Sequence, residues 1–150
     1  MPKIDPTTLP EISRSGYLPP HHLAVAGRHW RAIGAAAGLT HFGANLVTLD
    51  PGAWSSQRHW HSHEDELLVM LSGEAVLVED DGETPLRPGD IATFKAGGAN
   101  GHHLQNRSNA AAVFLAIGND DPVNDQCHYP DVDMHYAPAA GFTTKPASRT

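Results

Sequence analysis

The chain has 150 residues, 40% of them hydrophobic and 18% charged, which is the size and balance of one globular domain with one core. Ten Lys+Arg against 17 Asp+Glu give a net charge of −7, opposite to the basic footprint that nucleic acid or an anionic membrane requires. No apolar run approaches the roughly 20 residues of a membrane span. The N-terminal residues lack the basic-then-apolar pattern of a secretory signal, and the single cysteine, Cys127, has no internal disulfide partner, so the chain is read as cytoplasmic. Histidine is the anomaly: 11 residues, of the side chain that is the commonest metal ligand.

The proline-rich start, with little apolar periodicity, reads as an extended arm, and residues 1–38 as this arm plus edge segments. Within it, 31–38 (RAIGAAAG) offers one helical turn at most, because its glycines oppose a longer helix. From Leu39 the chain turns into short apolar or alternating runs bounded by Gly, Pro, Asp and Asn, the pattern of an all-β sandwich or barrel over 39–118. Strands are expected near 42–49, 53–61, 66–72, 74–79, 90–94, 102–106 and 111–117. Turns fall at Asp50-Pro51-Gly52, Ser72-Gly73-Glu74, Asp80-Asp81-Gly82, Arg87-Pro88-Gly89 and Gly97-Gly98. Residues 66–71 (ELLVML) are apolar on both faces after the glutamate, which points to a covered outer face and a homodimer. Residues 119–150 show no clear period and read as a tail laid over the barrel. Glu79-Asp80-Asp81 reads as a solvated hairpin tip.

The chemistry concentrates in 52–73, GAWSSQRHWHSHEDELLVMLSG. On a strand, His59 and His61 share one face, roughly 6–7 Å apart, close enough to converge on one ion. Glu66 follows after a gap that lets residues 62–65 turn the chain and start the next strand with a carboxylate facing inward. A third imidazole comes from GHHLQN, where alternation lets only one of His102 and His103 point inward. Three histidines and one glutamate then meet inside the barrel. His63, in the turn beside Glu64 and Asp65, reads as a solvated surface residue. His21, His22, His29, His41, His128 and His135 stand outside any such pattern, and no spacing pairs Cys127 with a base. Ser55 and Gln57 fall on the face of His59 and His61, and Leu68 and Met70 on that of Glu66. Gln57 could orient a ligand or a coordinated water, or have its amide satisfied by backbone.

These residues resemble the cupin superfamily, small β-barrels of the germin and jelly-roll type, over roughly 39–117. The first family motif is matched by His59-Trp60-His61, Glu66 and Gly73, with Gly52 one residue further from the first histidine than usual. The second is matched by Gly89-Asp90, Gly97, His102 and Asn106. Lys95 stands where the family has proline, and two extra residues precede the histidine. The spacing to Asn106 selects His102 over His103, and Asn106 itself reads as structural. More narrowly, HWHSHEDE, GHHLQNRS and YPDVDMHY resemble a group of bacterial single-domain cupins sometimes labelled sugar-phosphate isomerases by analogy. The resemblance implies a double-stranded β-helix barrel with a divalent ion (Fe, Mn, Ni, Co or Zn) held by His59, His61, Glu66 and His102. Such a centre suits an enzyme acting on a small anionic or polyoxygenated metabolite by isomerase, lyase or oxygenase chemistry. The alternative is a non-catalytic cupin that binds a sugar or acid, since this fold hosts both.

Overall fold

In the computed structural model, which describes residues 2–146, two antiparallel walls enclose the core. The first is a five-stranded sheet in the order β1 (Arg28–Ala32), β2 (Gly43–Leu49), β9 (Ala112–Gly118), β4 (Glu66–Ser72), β7 (Ile91–Phe94). The second contains β6 (Gly82–Leu86), β5 (Ala75–Glu79) and β8 (His103–Gln105). It is continued by isolated bridges, Trp54 to Gln105 and His59 to His102, into β3 (Trp60–His61). β3 is the edge of a third sheet with β10 (Cys127–His128), β11 (His135–Ala137) and β12 (Gly141–Thr143). This is the all-β architecture expected from the short runs, in the jelly-roll form that the resemblance implied, and among the described residues the one α-helix, α1 (Ile33–Ala36), falls where a helical turn is expected.

Inward residues of both walls form the core: Val47 and Leu49 from β2, Leu68 and Met70 from β4, Phe114 from β9, Leu77 from β5 and Leu104 from β8. The pattern is period two because successive strand side chains alternate between faces. A smaller cluster under the C-terminal segment joins Cys127, Tyr129 and Met134 to Tyr17, Tyr136 and Phe142. Strands of two or three residues are too short to leave a period, so β10–β12 were not legible as strands.

The expected strand over 53–61 is largely absent. Residues 55–58 bend away between the two bridges, and Ser55 replaces regular pairing: its N–H donates to the Leu104 carbonyl, and its Oγ accepts from the Leu104 N–H. A side-chain hydroxyl thus competes with the ladder, as serine readily does. The tip at Glu79-Asp80-Asp81 is solvated as expected, with Asp80 and Asp81 exposed, but it is also tied to the rest of the fold. Asp80 pairs with Arg58, which also grips Asp131, and Asn100 donates to Glu79. Gly73, at the β4–β5 turn, has φ +70°, and a Cβ there would collide with the Ala111 carbonyl oxygen, so both conformation and space require glycine. Among the described residues no helix is long and apolar enough to cross a membrane.

Candidate metal centre

Four side chains from three segments meet at one end of the barrel. His59 and His61 flank Trp60 on an extended stretch, so both imidazoles point inward while Trp60 points out and stacks on His128 at 4.2 Å between ring centroids. Glu66 is the first residue of β4, on the facing wall. His102 lies immediately before β8 and is bridged to His59 through the backbone. Its ring lies flat on Phe94, 3.5 Å away at an interplanar angle of 1°.

The Glu66 carboxylate is central. Oε2 is 2.5 Å from His102 Nε2, and Oε1 is 3.3 Å from His61 Nε2 and 3.8 Å from His59 Nε2. The ligand atoms of His59, His61 and Glu66 all lie within 4.8 Å of one another. Each imidazole is held at its other nitrogen by an acceptor. His59 Nδ1 faces the Gln57 carbonyl at 2.9 Å, His61 Nδ1 the Asp125 carboxylate at 2.7 Å, and His102 Nδ1 the Asn100 carbonyl at 3.0 Å. Those acceptors favour the Nδ1–H tautomer, which leaves every Nε2 lone pair aimed inward. Two such lone pairs, on His59 and His61, stand only 3.2 Å apart and repel unless a proton or cation lies between them. Two imidazole nitrogens and a carboxylate within 4.8 Å of one another are also donor types that first-row divalent ions accept, so His59, His61 and Glu66 fit a metal ion, and His102 joins them through Glu66.

Electrostatics agree. Without an ion, protons on the Nε2 atoms take its place: burial opposes ionisation of Glu66, but hydrogen bonds from His102, His59 and His61 outweigh it and hold the carboxyl well below the usual range. Burial likewise opposes charge on His61, yet Cys127 and Glu66 push its pKa up to about 12. The group therefore favours positive charge at its centre.

Several residues sit where the sequence placed them. His63 is exposed in the turn. Asn106 is buried and structural: its amide donates to the Leu49 and Ala110 carbonyls and its Oδ1 accepts from Ser108. His103 points away from the group, with Nδ1 on the Ser56 carbonyl and its ring edge-on to Trp54, and burial lowers its pKa to about 4. Gln57 acts through its backbone: the carbonyl receives His59, while the side-chain amide donates to the His21 carbonyl. Of the residues expected to face the site, Ser55 and Leu68 line its cavity; Gln57 and Met70 do not.

Sequence reasoning missed Asp125 and the position of Cys127. Asp125 is 4% exposed; Oδ1 accepts from the His63 and Glu64 N–H groups while Oδ2 takes His61. Cys127 Sγ lies 3.4 Å from His61 Nδ1. Both reach the site from the C-terminal segment, more than 60 residues along the chain, and no local spacing could have signalled them. Asn100 falls among the extra residues before His102, so the departure from the second motif supplies the carbonyl that holds that ring.

The site opens into a cavity of about 1100 Å³ lined by both walls, its lining including Tyr17, Arg28 and Trp30 and the acidic Glu64, Asp65 and Asp120. Fold and site together define a β-barrel protein with a histidine and glutamate group able to hold a metal ion. Residues 45–118 match the cupin domain family. A cupin-superfamily sugar phosphate isomerase from Silicibacter pomeroyi shares 42% identity over 96% of this chain and 92% of its own, with a TM-score of 0.89. A candidate sugar phosphate isomerase from Acidithiobacillus ferrooxidans is 27% identical over 83% of this chain and 84% of its own, at a TM-score of 0.72. A polyketide cyclase from Streptomyces resistomycificus, 17% identical over 81% of this chain and 80% of its own, shares the fold at a TM-score of 0.64. No curated protein matches the sequence. The chain belongs to the cupin superfamily.

Proposed function

We propose that the protein is a metal-dependent enzyme acting on a small anionic or polyoxygenated metabolite, with a divalent ion held by His59, His61, Glu66 and His102. The observation that carries this reading is the tying of all three Nδ1 atoms to acceptors, which turns all three Nε2 atoms toward the Glu66 carboxylate. When bound, the ion would act as a Lewis acid for charge developing on substrate oxygens. Isomerisation of a sugar phosphate is placed ahead of lyase and oxygenase chemistry, because the 42% identical Silicibacter protein carries that description over nearly its whole length.

Elemental analysis of the purified chain tests the centre. We expect about one equivalent of Fe, Mn, Ni, Co or Zn, lost in His59→Ala, His61→Ala, Glu66→Ala and His102→Ala and kept in His63→Ala and His103→Ala. Full occupancy in His102→Ala together with loss in His103→Ala would overturn the ligand set. With metal established, interconversion of phosphorylated aldoses and ketoses is the first activity to assay. Self-association as a homodimer belongs to the same proposal, supported by Leu71 and Ile91, which are 49% and 62% exposed on the adjacent strands β4 and β7. A sedimenting mass near that of one 16.1 kDa chain would count against it.

A further inference from the structure

Arg28 begins β1 and reaches the cavity wall. Its Nη1 donates to the Ser55 carbonyl at 2.9 Å and its Nη2 to the Arg14 carbonyl at 3.1 Å, and the guanidinium lies 5.0 Å from the centre of the Trp30 ring. Nε is buried and has no partner. Three other arginines are neutralised: Arg31 by Glu11, Arg58 by Asp80 and Asp131, and Arg107 by Glu83. Arg28 faces two backbone carbonyls and the phenols of Tyr17 and Tyr129, and among the described residues no Asp or Glu pairs with it. A half-buried cation without a counter-charge is unfavourable, and burial lowers its pKa accordingly. A guanidinium has five N–H groups; two are used and the Nε–H is buried, so one on each of Nη1 and Nη2 remains for an anion.

The same wall leads to the metal centre. Ser55, which holds Arg28, precedes Ser56, whose Oγ is 3.2 Å from His59 Nδ1, and Tyr129 packs against the His59 ring at 5.8 Å. Arg14 also lines the cavity, as do the acidic residues Glu64, Asp65 and Asp120. From this arrangement, and resting on the metal-enzyme reading above, we infer that Arg28 is a substrate-positioning residue. It would bind the phosphate group of a phosphorylated substrate whose hydroxyl or carbonyl oxygens face His59, His61, Glu66 and His102. The two free Nη N–H groups suit the terminal oxygens of a phosphate ester, and a second guanidinium at Arg14 suits a dianion.

The test uses inorganic phosphate as probe, titrated into the full chain both as purified and after chelator treatment, so that an anion bound by the metal is separated from one bound by Arg28. We expect binding in both forms, at least ten-fold weaker in Arg28→Met and partly retained in Arg28→Lys, with metal content unchanged. A direct reading in the wild-type chain, independent of whether a variant folds, is the 15N-detected Nε–H resonance of Arg28, which should shift on adding phosphate. No phosphate binding, binding only with metal present, equal binding in Arg28→Met, or an unmoved Nε–H resonance would each overturn the assignment. No metal in the chain as purified or after reconstitution, with phosphate binding intact, would instead refute the metal reading while leaving the anion site standing.

Discussion

Asp125→Asn is the most informative single change, because it alters the tautomer of a ligand without altering side-chain size. In the native protein Oδ1 accepts from the His63 and Glu64 N–H groups at 2.9 and 3.1 Å, and Oδ2 accepts from His61 Nδ1 at 2.7 Å. An asparagine must keep its oxygen on the two backbone donors, which places its NH₂ against His61 Nδ1. Two donors cannot share that position, so His61 is driven toward the tautomer with its proton on Nε2, the nitrogen that faces Glu66. Loss of such a supporting group typically weakens metal binding about 10- to 100-fold, or ~1.4–2.7 kcal/mol, and the forced tautomer places the expectation at the upper end. Chelator competition measures the affinity, and imidazole 15N shifts report the tautomer. Affinity within two-fold of wild type, with His61 still protonated at Nδ1, would refute the reasoning. Asp125→Ala is a poorer probe, since it also strands two backbone donors at about 1–3 kcal/mol each.

Other expectations follow from the same geometry. Gly73→Ala should destabilise the fold by at least ~2 kcal/mol, combining left-handed strain with collision against the Ala111 carbonyl. Gly52→Ala, at φ +86° with open space, should lose only about 1 kcal/mol; urea midpoints would compare them. Buried His103, with its pKa lowered to about 4, stays neutral in the folded state while the unfolded chain takes up a proton below about pH 6.5. Stability should therefore fall by up to ~3 kcal/mol as pH drops from about 6.5 to 4, and His103→Gln should flatten that part of the profile. Glu66 acts in a lower window: its depressed pKa contributes stability above the usual carboxylate range that is lost only as pH falls through its folded value. A stability profile for His103→Gln identical to wild type between pH 6.5 and 4 would remove His103 from the account.

What could be read from the chain alone was whatever is encoded locally. Short apolar or alternating runs near 42–49, 66–72 and 111–117 gave strands, which the structure places at Gly43–Leu49, Glu66–Ser72 and Ala112–Gly118. The pair His59 and His61, Glu66 at a strand start, and Gly73 at a turn are likewise short-range features, and they sufficed for the fold and for most of the group. Alternation alone could only halve the choice at His102-His103, and the family spacing to Asn106 selected His102. Tertiary structure decided the rest. Asp125 and Cys127 reach His61 only because β10 pairs with β3, and Arg28 reaches the cavity only because β1 edges the five-stranded sheet. β3, β10 and β1 have only two to five residues, too few to leave a period to read, and β10 joins β3 across more than 60 residues of sequence. The acceptors behind the imidazoles are mostly backbone carbonyls, which every residue carries, and their aim is set by the folded path of the chain.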